Sequence, residues 1–244
     1  MPPTEMPVRG EKPLLLLDVD GPLNPYRLIT KKGFLEPKVK PGERRYQYER
    51  QEMYPRGWAG PGALTVLLSP DHGDELRQLA EVYDLVWATT WEHTANELIA
   101  PVLGLPELPV IRLPWSEMKR WGQHAHHSGS WKTCIIAGWL DAHAPGRPWV
   151  WIDDDITRAD REWLHRHYGD HRGGPPALDR WLLDIHPSHG LREHDFEALR
   201  TWAATLQTLA RGPVTPPCTA RHEHIDYPTM AAFYEKVDLD RSAE

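Results

Sequence analysis

The segment LLLLDVDGPLNPY, from Leu14 to Tyr26, constrains this chain more than any other. Four leucines with no polar interruption fit a strand covered on both faces, as in a parallel sheet, because a half-exposed strand would alternate. The run stops abruptly at Asp18 and Asp20, and Gly21 permits a sharp exit. Side chains two apart on a strand share a side, so Asp18 and Asp20 can face one site while Val19 packs. Ligands of open parallel sheets bind beyond the carboxyl ends of the strands, and these two acids fall there. Paired carboxylates in a crevice repel, and a hard divalent cation is the natural compensation. Mg²⁺, which takes a few carboxylate oxygens together with water and phosphate oxygens, points to phosphoryl chemistry.

Further along, short apolar segments alternate with helical patterns. Leu14–Asp18, Asp84–Thr89, Pro109–Leu113, Trp149–Asp153 and Trp181–Ile185 read as buried strands. Leu76, Leu79, Ala80 and Tyr83 recur at helical spacing, as do Ala95, Leu98, Ile99 and Val102. Further helices are expected over Trp131–Leu140, with Trp131, Cys134, Ile135 and Trp139 as its apolar residues, over Arg158–His167, and from about Glu193 to Leu209. This order implies an α/β fold with a Rossmann-like, doubly wound, mostly parallel sheet. The 244 residues suffice for one such domain, expected over 14–211, between an N-terminal tail (1–13) and a C-terminal tail (212–244). An insert at about 22–60, the loop GQHAHHSGS (122–130) and the proline-rich C-terminal tail stand outside the alternation.

Charge and cysteine content remove other classes. A net charge of −7 excludes a general polyanion binder, leaving only local basic regions. Two cysteines, Cys134 and Cys218, without CxxC spacing argue against a disulfide framework or a zinc-thiolate site. The N-terminus has no apolar stretch, and no run approaches the roughly 20 residues that cross a bilayer. The expectation is a cytoplasmic protein without membrane association.

The other strand ends carry matching chemistry. Thr89 and Thr90 close the second strand, where hydroxyl and amide groups could hold a phosphate oxygen. Lys132 stands near a helix start, where its charge could neutralise both a carboxylate and a phosphate. Asp153, Asp154 and Asp155 end another apolar strand and supply further oxygen ligands. His124, His126 and His127 lack a fourth partner for zinc and read as an exposed polar loop.

With these residues in place, the chain resembles the haloacid dehalogenase (HAD) superfamily over roughly Leu14 to Leu209. The first motif, DxDGxL, matches Asp18 to Leu23, which implies Asp18 as nucleophile and Asp20 as general acid/base. The second motif falls on Thr89, with Thr90 as its neighbouring competitor. The third falls on Lys132, with Lys119 as runner-up, and the fourth on Asp153 and Asp154, with Asp155 leaving the register open by one. The resemblance implies a HAD-like fold and Mg²⁺ held by Asp18, Asp20, Asp153 and Asp154. Phosphate would be bound by Thr89, Thr90 and Lys132, and the reaction would be phosphomonoester hydrolysis through an aspartyl-phosphate. The WATTW and WIDD contexts resemble small HAD domains associated with RNA repair. An acid two residues after the nucleophile is typical of the phosphatase branch, not the dehalogenases.

The insert is too short for a large cap and reads as a β-hairpin flap or minimal cap. It carries nine basic against four acidic residues, +5, leaving −12 for the remainder. Tyr26, Phe34, Tyr46, Tyr48, Tyr54 and Trp58 are interleaved with those charges, the combination that stacks bases and screens phosphates. A solvated hairpin would use the same charges for solubility. The expected substrate is thus a phosphorylated small molecule or a nucleic-acid end. The alternative function is a non-catalytic HAD-like module that binds nucleic acid or a protein partner.

Overall fold

The structure is a computed structural model that describes residues 12–55, 60–113, 131–168 and 179–210. Its centre is a parallel sheet with β1 (Leu14–Leu17), β6 (Asp84–Trp87), β7 (Trp149–Asp153) and β8 (Arg180–Asp184) in the order β6-β1-β7-β8. All four leucines of β1 are fully buried. Each contributes about 2 kcal/mol of apolar burial, so an edge position for this strand would forfeit more than the fold could spare. The chain leaves β1 toward β6 and then crosses back to β7, which places the topological switch point at β1.

Alternation along the strands divides the core. Leu15, Leu17, Leu85, Trp87, Val150 and Ile152 join one cluster with Leu76, Leu79, Ile99, Leu103 and Leu199, which belong to helices on that side. Those helices are α1 (Pro70–Leu79), a π-helical stretch (Ala95–Ile99) running into α2 (Ala100–Leu103), and α5 (Glu193–Ala210). Leu14, Leu16, Val86, Trp149 and Trp151 alternate with that set and are equally buried. Ile136, Ala137 and Leu140 of α3 (Trp131–His143) and Leu164 of α4 (Arg158–His167) are likewise buried outside the cluster. The α/β architecture with a central parallel sheet expected from the sequence is therefore present.

Several local expectations change. Pro109–Leu113 forms no full strand: Val110 makes a single parallel bridge to Trp87. Two hydrogen bonds hold it there, Trp87 N to Pro109 O and Ile111 N to Trp87 O, but Pro109 has no N–H with which to extend the ladder. The insert contains a short antiparallel hairpin of β2 (Ile29–Thr30) and β3 (Gly33–Phe34). It also holds β4 (Glu49–Met53), which pairs with β5 (Leu64–Leu68), beyond the insert's expected end. In α3 the buried residues are Trp131, Lys132, Thr133, Ile136, Ala137 and Leu140, whereas Cys134, Ile135 and Trp139 are only half-buried. The helix is apolar nearly all round, so its pattern could not choose a face.

Contacts divide the chain into Met1–Leu209 and Ala210–Glu244. Nearly all of the second unit, Lys119, and His124, His126 and His127 lie outside the described residues. Among the described residues, no helix is long and apolar enough to cross a membrane.

Candidate active site

Asp18 follows β1 directly, and its amide donates to Ile152 O at 3.0 Å, which sets it level with Asp153 at the end of β7. By alternation Asp18 continues the Leu14, Leu16 side of the sheet, and Asp153 continues the Trp149, Trp151 side. That side meets α3, and Lys132 in its first turn completes the arrangement. Lys132 Nζ donates to Asp18 Oδ2 at 2.6 Å and to Asp153 Oδ2 at 2.7 Å. The lysine is 4 % exposed, Asp18 2 % and Asp153 0 %. Burial alone would pull the Lys132 pKa down, but Asp153 and Asp18 outweigh it and hold the ammonium charged.

Asp153 is anchored further by Trp151 Nε1 at 3.2 Å and by the Asp155 amide at 2.9 Å. Burial raises its pKa, Asp18 adds to the shift, and Lys132 opposes it. Asp154 is half-buried and is pushed up to about 6, chiefly by burial. Its Oδ2 accepts from the Tyr26 hydroxyl at 2.8 Å. Tyr26 is 38 % exposed, and its own pKa is raised to about 12 by burial and by that bond. Asp18, Asp153 and Asp154 each offer an oxygen within 4.8 Å of the others. Three carboxylates facing one ammonium leave negative charge uncompensated, and an all-oxygen donor set of this kind suits a hard divalent cation.

Asp20 lies outside that group of three. Its Oδ1 accepts from Asn24 Nδ2 at 2.7 Å and its Oδ2 from Trp91 Nε1 at 2.9 Å. Burial raises its pKa, and the charge of Asp18 raises it further. Behind it Gly21 has φ of +86°, and a Cβ there would stand 2.4 Å from Asp154 Cβ, so the glycine is required twice over.

Thr89 is fully buried two residues beyond Trp87, the partner of Leu17, and its hydroxyl accepts from the Trp91 amide at 3.4 Å. Thr90 is half-buried beside it. Asp155 is exposed. The structure thus brings Asp18, Lys132, Asp153 and Asp154 into one group, with Asp20 and Thr89 at the same sheet edge. Tyr26, Asn24 and Trp91 were not expected from the sequence in these positions. The one available signal was their spacing of a few residues from Asp20 and Thr89.

The charged insert divides into two populations. Tyr46 and Tyr48 are buried, which removes them from base stacking, and Arg44 is committed to Asp71 and Glu75. Tyr26, Arg27, Lys31, Lys32, Lys38 and Lys40 are exposed, and Trp58 and Arg56 lie outside the described residues.

Residues 14–196, three quarters of the chain, match the family described as the HAD domain in Swiss Army Knife RNA repair proteins. The chain belongs to this family. No curated protein and no solved structure matches it significantly. Within this HAD domain the carboxylates lie at the carboxyl edge of the sheet beside its switch point, where an α/β sheet opens to ligands.

Proposed function

We propose that this HAD domain is a divalent-cation-dependent phosphomonoester hydrolase. The observation that carries the reading is Lys132 bonded at once to Asp18 and Asp153, with Asp154 completing the carboxylate group. Asp18 would attack phosphorus in line, forming an aspartyl-phosphate as the bond to the leaving oxygen breaks. Asp20 would give its proton to that oxygen and then recover one from the water that hydrolyses the aspartyl-phosphate. Its raised pKa favours the proton-bearing form needed first. Lys132 would hold Asp18 in position and, with Thr89, meet the phosphate oxygens. Asp18, Asp153 and Asp154 would hold Mg²⁺, whose charge screens the approach of one anion to another.

For the substrate we propose the phosphorylated end of a nucleic acid. The exposed cations of the insert follow Tyr26, which itself touches the site at Asp154, so a phosphate-rich chain leaving the site would meet them. The family's occurrence in RNA repair proteins supports this class.

The test is phosphate release from an aryl phosphate, nucleotides, sugar phosphates and 5′- or 3′-phosphorylated oligonucleotides, with Mg²⁺ or chelator, for wild type and Asp18→Asn. Release should need both Asp18 and the cation and should be fastest with an oligonucleotide. Release that survives Asp18→Asn would refute the mechanism. No release from folded protein would favour a binding module, to be followed by titration with unphosphorylated oligonucleotide.

A further inference from the structure

Asp20 presents a physical difficulty if it transfers protons. A carboxylate two residues from Asp18, beside a site suited to a divalent cation, is drawn toward that cation as one more ligand. A cation ligand has lost the proton a general acid must deliver. Something must hold Asp20 apart, and two donors from outside the carboxylate group do so, one on each oxygen.

The first, Asn24, is itself immobilised. Its side-chain carbonyl accepts from the Leu67 amide of β5 at 2.9 Å, its backbone N–H donates to Val19 O at 2.8 Å, and its backbone carbonyl accepts from Gly21 N at 2.9 Å. The second, Trp91, is 8 % exposed and packs in the main core cluster while its indole N–H reaches Asp20 Oδ2. A buried indole ring with its one polar edge on a carboxylate is a rigid donor. The turn that delivers it is closed by Glu92 N to Thr89 O at 3.1 Å and Thr94 N to Trp91 O at 3.0 Å. Glu92, next in sequence, has φ of +47°, the left-handed region, and among the described residues it is alone in this apart from glycines. Local strain in a side-chain-bearing residue is tolerated where surrounding contacts over-determine the backbone.

We infer that Trp91 is a positioning residue for Asp20: its N–H, opposite Asn24, holds the carboxylate for proton transfer and out of the cation's ligand set. This rests on the reading of Asp20 as general acid/base. Each oxygen accepts one of these bonds and keeps a second lone pair, which can carry the proton passed to the leaving oxygen.

The test uses the full chain with Trp91→Phe, which keeps a ring and deletes the N–H. The quantity read is kcat/KM, which reports steps up to departure of the leaving group, for an aryl phosphate with a weakly basic leaving group and an alkyl phosphate with a strongly basic one. Only the second depends on a proton at the moment of cleavage. The alkyl substrate should lose at least about tenfold, and the aryl substrate less than about threefold, since general acid catalysis is worth about 10²–10⁴ in all. Partial unfolding would lower both alike, so the ratio reads positioning rather than folding. In an Asp20→Asn background the same Trp91 substitution should add nothing, because the two act as a unit. Equal losses on both substrates, or an undiminished effect in the Asp20→Asn background, would overturn the role of Trp91 while leaving the hydrolase reading intact. A wild-type protein inactive on both would overturn the hydrolase reading and this inference with it.

Discussion

Lowering the pH from 7 to 5 should cost this fold about 2 kcal/mol through a single side chain, His72. His72 lies in α1, fully buried, with Nε2 3.0 Å from Leu191 O. The Tyr46, Tyr48 and Phe196 rings surround it at centroid distances of 4.7, 5.5 and 5.6 Å. Because a carbonyl only accepts, Nε2 carries the hydrogen, and Nδ1 has no hydrogen-bond partner among the described residues. A second proton would therefore be a buried charge without an acceptor. Burial lowers the pKa from 6.5 to about 4; the Leu191 carbonyl and Asp71 oppose the shift, and Arg44 reinforces it. The unfolded chain takes up the proton near 6.5 and the folded one does not until about 4. Stability from this residue is therefore unaffected above 6.5 and falls as pH drops through that window, by about 1.4 kcal/mol for each pH step of one. The same Leu191 donates its amide to Pro22 O at 2.8 Å, so loosening here reaches the turn behind Asp20. The assay is urea unfolding of wild type and His72→Gln at pH 7 and pH 5. Carboxylates titrate in both proteins and cancel in the difference, and glutamine retains an N–H for Leu191. The wild type should lose about 2 kcal/mol more than the variant. Parallel losses would refute a neutral buried imidazole.

Three other substitutions probe the site and its supports. Gly21→Ala should lower stability by about 2 kcal/mol through its left-handed backbone and displace Asp154, seen as a lower melting temperature together with weaker Mg²⁺ binding by calorimetry. Wild-type affinity in that variant would contradict the crowding. Lys132→Met leaves Asp18 and Asp153 facing each other without their cation and should cost about 3 kcal/mol, part of it restored by Mg²⁺ in a thermal-shift measurement. A variant as stable as wild type without added cation would show that the lysine does not hold the pair together. Gly73→Ala places a Cβ 1.9 Å from the Leu103 carbonyl oxygen, forces α1 from α2, and should cost about 3 kcal/mol in denaturant unfolding with the spectrum of the folded state retained. A cost below about 1 kcal/mol would mean that the helices separate easily.

The legible part of this protein is the part encoded in short-range pattern. Four leucines require a strand buried on both sides, and acids stand where β1 and β7 end because polar side chains cannot continue such a run without partners. The insert stands out because it breaks the alternation of strands and helices, but the pairing of β4 with β5 is not legible, because alternation is weak in ERQEM and the partner lies beyond the insert.

Tertiary structure decided the rest. In α3, apolar residues occupy every side, so helical periodicity favoured Cys134, Ile135 and Trp139, whereas the carboxylates of β1 and β7 fixed the face that carries Lys132. Tyr26 reaches Asp154 across 128 positions and Trp91 reaches Asp20 across 71. No local propensity encodes such pairs, since the strand order β6-β1-β7-β8 is what brings their segments to one edge. The sequence alone determined which chemical groups stand at the strand ends. Packing determined which of them meet, because a carboxylate's partner is set by where neighbouring backbones run and not by its neighbours in the chain.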